Sequence, residues 1–512
     1  MVYTINRCLL LFVFLMITCV VNAQNVVWSN GYSNSSSNLS VKNLRSNSSG
    51  ENYTVGSFGR KIDFDAGAGS DTLDAAINTG DNASVAGFIS KTDNSGNHLW
   101  ARALYPINPG AMAVINDVDM DANANVYVAG NFHYTLDFDP GPAVDSLNSS
   151  GAYGAFIMKL NPSGNLLWVH TYLGMETKIW DIKIDENDGL IIVGSFTDTL
   201  DFDPSPAVYN LISDNSNDLF VIKMNASGNL LWAKTWVGSD PNLGPNIGRA
   251  CLDADVANNI YVTGSISLNQ VDLDPGLGVM VDTGKCFVAK LDPSGNFIWG
   301  QCRSETQAMV LATNSTDLYL YGYKSNEYVY LAEYDSSGTQ LWNKHLEDPV
   351  ISGANFNGEP SALTQDLAGN LVMGGRQVNR YFLYTTDSSG NMQWLKKSKT
   401  TADYDHLTVR MSPLDDIIVA GDFRNVFDVD FGPGVDTLGA VNKYSSFLMK
   451  YSYCGSNNNF NFTSCDSVVL PDTTYNVSVN FANEYLDING CDSNVFNHIS
   501  IGILSDVSIA GC

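Results

Sequence analysis

Along most of the chain, short apolar runs alternate with polar turns rich in Gly, Asn, Asp and Ser. The runs are dominated by β-branched and aromatic residues, and the pattern predicts short strands joined by tight turns. Two phrases recur. The first is a turn leading into an apolar run that ends in Trp: Ser163-Gly164-Asn165-Leu166-Leu167-Trp168, with counterparts at 95–100, 227–232, 294–299, 337–342 and 389–394. The second is an apolar strand that ends in Gly, such as Tyr127-Val128-Ala129-Gly130-Asn131-Phe132, with counterparts reaching Gly56, Gly194, Gly264, Gly322, Gly374-Gly375 and Gly421. Before most of the second phrases lies a polar turn, and before that turn another alternating strand. One repeat therefore reads as four strands, at about 114–120, 125–132, 154–160 and 165–171.

The two phrases are unequal in number: seven strands end in Gly, but only six turns lead into Trp. The last repeat stops at Ser446-Phe447-Leu448-Met449-Lys450-Tyr451, a third strand without a fourth. Near the start, Asn25-Val26-Val27-Trp28-Ser29 is a fourth strand without a third. The first strand then completes the last repeat, which removes the two open sheet edges of a linear array. The expected fold is all-β: a seven-bladed β-propeller of four-stranded blades over 24–453, closed by the N-terminal strand. An open β-solenoid is the alternative, and the split repeat argues against it.

These phrases resemble the bacterial SBBP repeat, a seven-bladed propeller family. The match is best at 259–265 and across Phe287-Val288-Ala289-Lys290-Leu291-Asp292-Pro293-Ser294-Gly295-Asn296-Phe297-Ile298-Trp299. It is worst in the fifth and sixth repeats, where Thr339 follows Gly338 and Gln393 stands at an apolar position. The resemblance implies secretion and a binding or surface role, and no reaction. From Cys454 onward the period changes: Cys465-Asp466-Ser467 returns as Cys491-Asp492-Ser493. This tail, 454–512, resembles the small C-D-S modules of exported surface proteins. It is expected to form a small β module with one or two disulfides.

Composition narrows the function. Of 54 acidic residues 45 are Asp and 9 are Glu, and the net charge is −27. Asp favours turns and Glu helices, so the balance suits a turn-rich β protein. The acidity argues against nucleic acid as partner. The N-terminus reads as a secretory signal over 1–23, with Arg7 ahead of an apolar stretch and Val21-Asn22-Ala23 at the cleavage position. An uncleaved anchor is the other reading. No later stretch reaches the length of a membrane span. The expectation is a secreted or cell-surface monomer. Seven of the nine Cys remain after cleavage, none in a C-x-x-C pair.

The most suggestive chemistry lies between the second and third strands of five repeats. Asp63 and Asp65, Asp137 and Asp139, Asp201 and Asp203, Asp272 and Asp274, and Asp428 and Asp430 each flank one apolar residue. In an extended segment both carboxylates share a face. Two readings follow: a Ca²⁺ site built from the pairs, or Asp caps on the following turn with the apolar residue packed inward. No Glu occupies the twelfth position of an EF-hand loop. The connections place all five loops on one face, which is expected to bind a partner. The Trp residues that close the first phrase are expected to pack between blades.

The six His (His98, His133, His170, His345, His406 and His498) are scattered, and nucleophile-elbow and P-loop motifs are missing. The first functional reading is a non-enzymatic scaffold that binds an extracellular glycan or protein. The alternative is a polysaccharide hydrolase or lyase with its site in the central funnel. Convergent acid and base residues there would favour the alternative, and a funnel of backbone and small residues the first.

Overall fold

The computed structural model describes residues 26–451 except 33–37, 76–83, 214–216, 237–249, 267–269, 306, 314–316, 325–327, 348–358, 378–379, 400–405, 425, 432–434 and 440–444. Beyond 451 it describes the strands Val468–Leu470, Thr473–Tyr475, Val479–Leu486 and Asp492–Ile499. The signal at 1–23 and Cys454, Cys465, Cys491 and Cys512, with their expected disulfides, lie outside the described residues. Among the described residues no helix is long and apolar enough to cross a membrane.

Within Val26–Tyr451 the strands group into four-stranded antiparallel units, numbered here from the amino terminus by their inner strands. Those inner strands are Leu39–Ser46, Met112–Met120, Lys178–Ile184, Ala250–Ala254, Gln307–Ala312, Glu359–Gln365 and Leu407–Met411, for units 1 to 7. Each pairs with the strand that ends in Gly, which pairs with a third strand and then an outer one. Units 1 and 2 join into one eight-stranded sheet through Tyr105 opposite Asp137 and Pro106 opposite Leu136. In unit 7 the outer strand is Val26–Tyr32, paired antiparallel with Ser445–Tyr451. The amino-terminal strand thus completes the last unit, as the unequal phrases require.

The inner strands are neighbours in cyclic order, each beside the next, with unit 7 returning to unit 1. The array is closed: an all-β propeller. Its core is divided among the joints between units. Ile191, Val193 and Val221 of unit 3 pack with Ile260, Val262 and Phe287 of unit 4. Tyr32, Ile418 and Leu448 of unit 7 pack with Leu39, Phe58 and Phe88 of unit 1. The second and third strands are covered on both faces. For that reason Leu190–Phe196 and Ser445–Tyr451 are buried along their whole length and do not alternate apolar with polar residues.

The insertions fold as hairpins, more ordered than the turns read from the sequence. Lys61–Asp63 pairs with Thr72–Asp74, Thr199–Asp201 with Asn210–Ile212, Gln270–Asp272 with Val281–Thr283, and Val426–Asp428 with Thr437–Gly439. In unit 2 the hairpin prolongs the blade strands, which run Val126–Asp137 and Ser146–Leu160, past the expected ends.

Trp and Gly of the first phrase interlock across the joints. The Gly of each Ser-Gly turn lies on the Trp of the preceding unit: Gly96 on Trp28, Gly164 on Trp100, Gly228 on Trp168, Gly295 on Trp232, Gly338 on Trp299 and Gly390 on Trp342. Trp28, Trp232 and Trp299 also donate Nε1 to a carbonyl of that turn, at 3.1, 3.2 and 3.0 Å. The third-strand Lys does similar work. Lys159 and Lys223 meet Asp121 and Asp185 at 3.0 and 2.7 Å. They also donate to Ala226 and Pro293 carbonyls of the next unit, at 3.2 and 3.4 Å. Units 5 and 6 carry Glu333 and Thr385 at this register, which is why they depart from the repeat.

Gly295 has φ +79, and a Cβ there would stand 2.9 Å from the Trp232 ring. Left-handed backbone and the clash together cost a non-Gly residue on the order of 1–3 kcal/mol. Gly295→Ala should therefore lower the midpoint of denaturant unfolding. Gly439→Ala, where the added Cβ meets nothing within 4 Å, should leave it nearly unchanged.

Candidate functional site

Apart from Met112 of unit 2, which also pairs in parallel with Val85 of unit 1, an inner strand has a ladder partner on one edge only. Its other edge carries N–H groups that would lack acceptors once buried. In units 1, 3, 4, 5 and 7 side chains of the preceding unit supply them. Asp117 Oδ2 accepts from Ile182 N at 2.8 Å, and Asp119 Oδ2 from Ile184 N at 2.8 Å. Asp181 accepts from Leu252 N at 2.9 Å and Asp253 from Ala312 N at 3.0 Å. Thr364 Oγ1 accepts from Met411 N at 3.3 Å, and Asp422 from Val41 N at 3.0 Å. Bonds of this kind to a charged acceptor contribute about 1.5–3 kcal/mol each.

The ladder register collects one layer of inner-strand residues. Arg45, Asp119, Lys183, Asp253, Leu311, Thr364 and Arg410 each stand opposite the residue three before the second-strand Gly. Arg45 Nε lies 3.4 Å from Asp119, and Lys183 Nζ lies 2.8 Å from Asp253. Burial works against the Arg45 charge, but Asp119, Asp117, Asp181 and Asp253 together hold its pKa up. The nearby Asp253 carboxylate does the same for Lys183. Burial and the adjacent Asp117, to which it is hydrogen-bonded, hold Asp181 well above the usual carboxylate range. The cyclic order of the inner strands places these groups around the axis. Water reaches them, since the Arg45 and Lys183 side chains are 20% and 31% exposed.

The funnel is thus neither of the two kinds expected. It is lined by charge, but its acids serve the backbone. Asp117 accepts from Asn43 Nδ2, Val118 N and Ile182 N. Asp253 accepts from Ala254 N, Ala312 N and Lys183. None of these residues was marked by the sequence reading. A signal existed: each layer residue stands eleven positions before its Gly, from 45 and 56 to 410 and 421.

The ten Asp named from the sequence lie in the hairpins, and the structure gives their first members a defined role. Asp63 Oδ1 accepts from Asp65 N at 3.1 Å and Asp71 N at 2.9 Å. Asp137, Asp201, Asp272 and Asp428 repeat this at residues two and eight further on. Of the second members, Asp65, Asp139, Asp203 and Asp274 each accept from the backbone N two residues on. The apolar residue between them enters the core: Phe64, Phe138, Phe202, Leu273 and Val429 are at most 1% exposed. Phe202 sits 4.8 Å from Phe220 and 5.3 Å from Phe196, ring centre to ring centre. No two pairs are brought together, and Asp428 Oδ2 also lies 3.3 Å from Lys399 Nζ, outside its hairpin. Among the described residues no group of three or more His, Cys, Asp or Glu is arranged to hold a metal ion. Cys286 and Cys302 are free thiols.

Anchored below, the hairpins expose apolar residues above. Val144, Val208, Val279 and Val435, each seven positions after the first Asp, are 71%, 68%, 80% and 75% exposed. Antiparallel order puts the second-to-third-strand connections on one face, so these valines share it.

No family model matches the chain. A stretch of 165 residues is 28% identical to an uncharacterised WD repeat-containing protein of Acanthamoeba polyphaga mimivirus, covering 30% of this chain and 11% of that protein. The chain thus matches about a tenth of the length of that relative. Among solved structures, the polysaccharide lyase Uly1 is 9% identical with a TM-score of 0.41, over 80% of this chain and 89% of that one. The NanB sialidase of Streptococcus pneumoniae is 10% identical with a TM-score of 0.36, over 84% and 71%. A Lactobacillus plantarum protein is 13% identical with a TM-score of 0.41, over 71% and 95%. Likenesses at this level say nothing about substrate or chemistry.

One latch titrates. Burial pushes Asp422 up to about 6, against hydrogen bonds from Ser446, Val41 and Ser40. The folded state then binds this proton more tightly than the unfolded one. Its contribution to stability is full below about pH 4 and is lost as pH rises through about 6. The stability of the native chain relative to Asp422→Asn should fall across that window by on the order of 3 kcal/mol. A flat difference between the two unfolding curves would contradict this.

Proposed function

We propose that the protein is a secreted or cell-surface binding scaffold, exported by its amino-terminal signal, and that it holds an extracellular protein or glycan on the hairpin face. The observation that carries this reading is the build of the hairpins. Each is pinned by an apolar residue in the core and by Asp caps, and four expose a valine at the same position. Exposed apolar groups on a rigid frame favour association, because little freedom is lost on binding. The Asp residues around them make the rim acidic, which suits a partner with a basic surface.

The proposal does not require calcium, since the first carboxylate of each pair already has two backbone donors. Calcium would add to it by joining the remaining carboxylate oxygens to the partner. The alternative, a polysaccharide hydrolase or lyase acting in the funnel, draws on one observation: Asp181 keeps its proton at higher pH than an ordinary carboxylate, in a channel open to water. Against it stands the use of the axial acids as backbone acceptors.

The test is an array of extracellular proteins and glycans probed with the full chain, in chelator and in calcium. The combined variant Val144→Ser, Val208→Ser, Val279→Ser and Val435→Ser should lose at least tenfold in affinity for what the native chain retains, with its thermal melt unchanged. Full binding by the variant would overturn the hairpin-face reading. Binding that persists in chelator would remove calcium from it. Release of new sugar ends by the native chain, lost in Asp181→Asn, would replace it with the enzymatic one.

A further inference from the structure

We propose that the axial channel holds a carboxylate-bearing ligand between Arg410 and Arg45. The inference does not rest on the hairpin face, since these residues belong to inner strands. Its basis is the order of charges around the axial layer. From unit 1 to unit 4 that layer alternates in sign, with Arg45 set against Asp119 and Lys183 against Asp253. Between unit 7 and unit 1 the alternation fails. Arg410 has Thr364 on one side and Arg45 on the other, because the inner strands of units 6 and 1 flank its own.

Arg410 therefore lacks an anion. Among the described residues it makes no ion pair; its one bond runs from Nη1 to its own neighbour, the Val409 carbonyl, at 3.1 Å. Its Nε is buried and has no acceptor. The acids that act on it through space are Asp117, Asp181 and Asp253, across the channel. All three hold the next unit's backbone, and Asp253 also holds Lys183. Burial and the like charge of Arg45 push the Arg410 guanidinium down to about 10. A guanidinium in this position has an unmet donor and no carboxylate in direct contact. A planar oxyanion meets both, since a carboxylate takes two parallel N–H bonds from the fork of an arginine. It would also separate the two guanidiniums.

Acetate is the simplest probe of this chemistry. D-glucuronate and N-acetylglycine distinguish a sugar acid from a peptide terminus as the source, and D-glucose is the neutral control. Calorimetric titration of the full chain should show saturable binding of acetate, and tighter binding of one larger acid, with a Kd of about 1 mM or below. Glucose should give none. Arg410→Gln should weaken acid binding at least tenfold, and Arg410→Lys, which keeps the charge but not the fork, should fall between. The melts of both variants without ligand report whether the fold is kept. Carboxylates should raise the melting temperature of the native chain and not that of Arg410→Gln. Absence of saturable binding by all three acids, or native-like binding in a folded Arg410→Gln, would overturn the proposal.

Discussion

A sheet rolled into a ring of separate blades has a problem at its centre: every inner strand is an edge. In units 1, 3, 4, 5 and 7 of this protein the edge is satisfied from the side, by a carboxylate or hydroxyl of the preceding unit that accepts an inner-strand N–H. The rest depends on this. The bonds fix the angle at which neighbouring units meet, and the apolar joints and the Trp–Gly contacts then close at that angle. The ring is completed by Val26–Tyr32, so the last edge of unit 7 is covered by the start of the same chain.

The same constraint governs how the axial charges are to be understood. Acids near the axis of a propeller invite a catalytic reading. In this channel their oxygens already carry backbone N–H groups, and removing one would leave a buried donor without an acceptor. The cations of the layer differ in this respect: Arg45 and Lys183 have acid partners, whereas Arg410 makes no ion pair among the described residues.

Much of the architecture was legible in the sequence because its signals are local. A Ser-Gly turn needs left-handed backbone at Gly, and a strand covered on both faces needs a largely apolar run, so both leave marks within a few residues. The closing strand was legible because a lone fourth strand at 25–29 answers a missing one after 451. The Asp pairs were legible as residues, with their role left open between cation and cap. The apolar residue between them decided where the pair could sit: with Phe202 or Phe138 in the core, the flanking carboxylates fall against the hairpin backbone. The axial layer was not legible. Its position recurs in every repeat but its residue does not, running from Arg45 through Asp119 to Leu311, and a search for recurring phrases passes over it. Units 5 and 6 show the opposite case, where Glu333 and Thr385 replace the third-strand Lys while the ladder is kept.

The latches can be read directly by hydrogen exchange at single amides. Val41, Ile182, Ile184, Leu252, Ala312 and Met411 donate to side chains of a neighbouring unit. If the latches hold the ring together, these six amides exchange as slowly as the ladder amides of the second and third strands, although each belongs to an edge strand. Exchange at the rate of exposed turns, with the ladder amides still protected, would show that the units are held by apolar packing alone and would contradict the account.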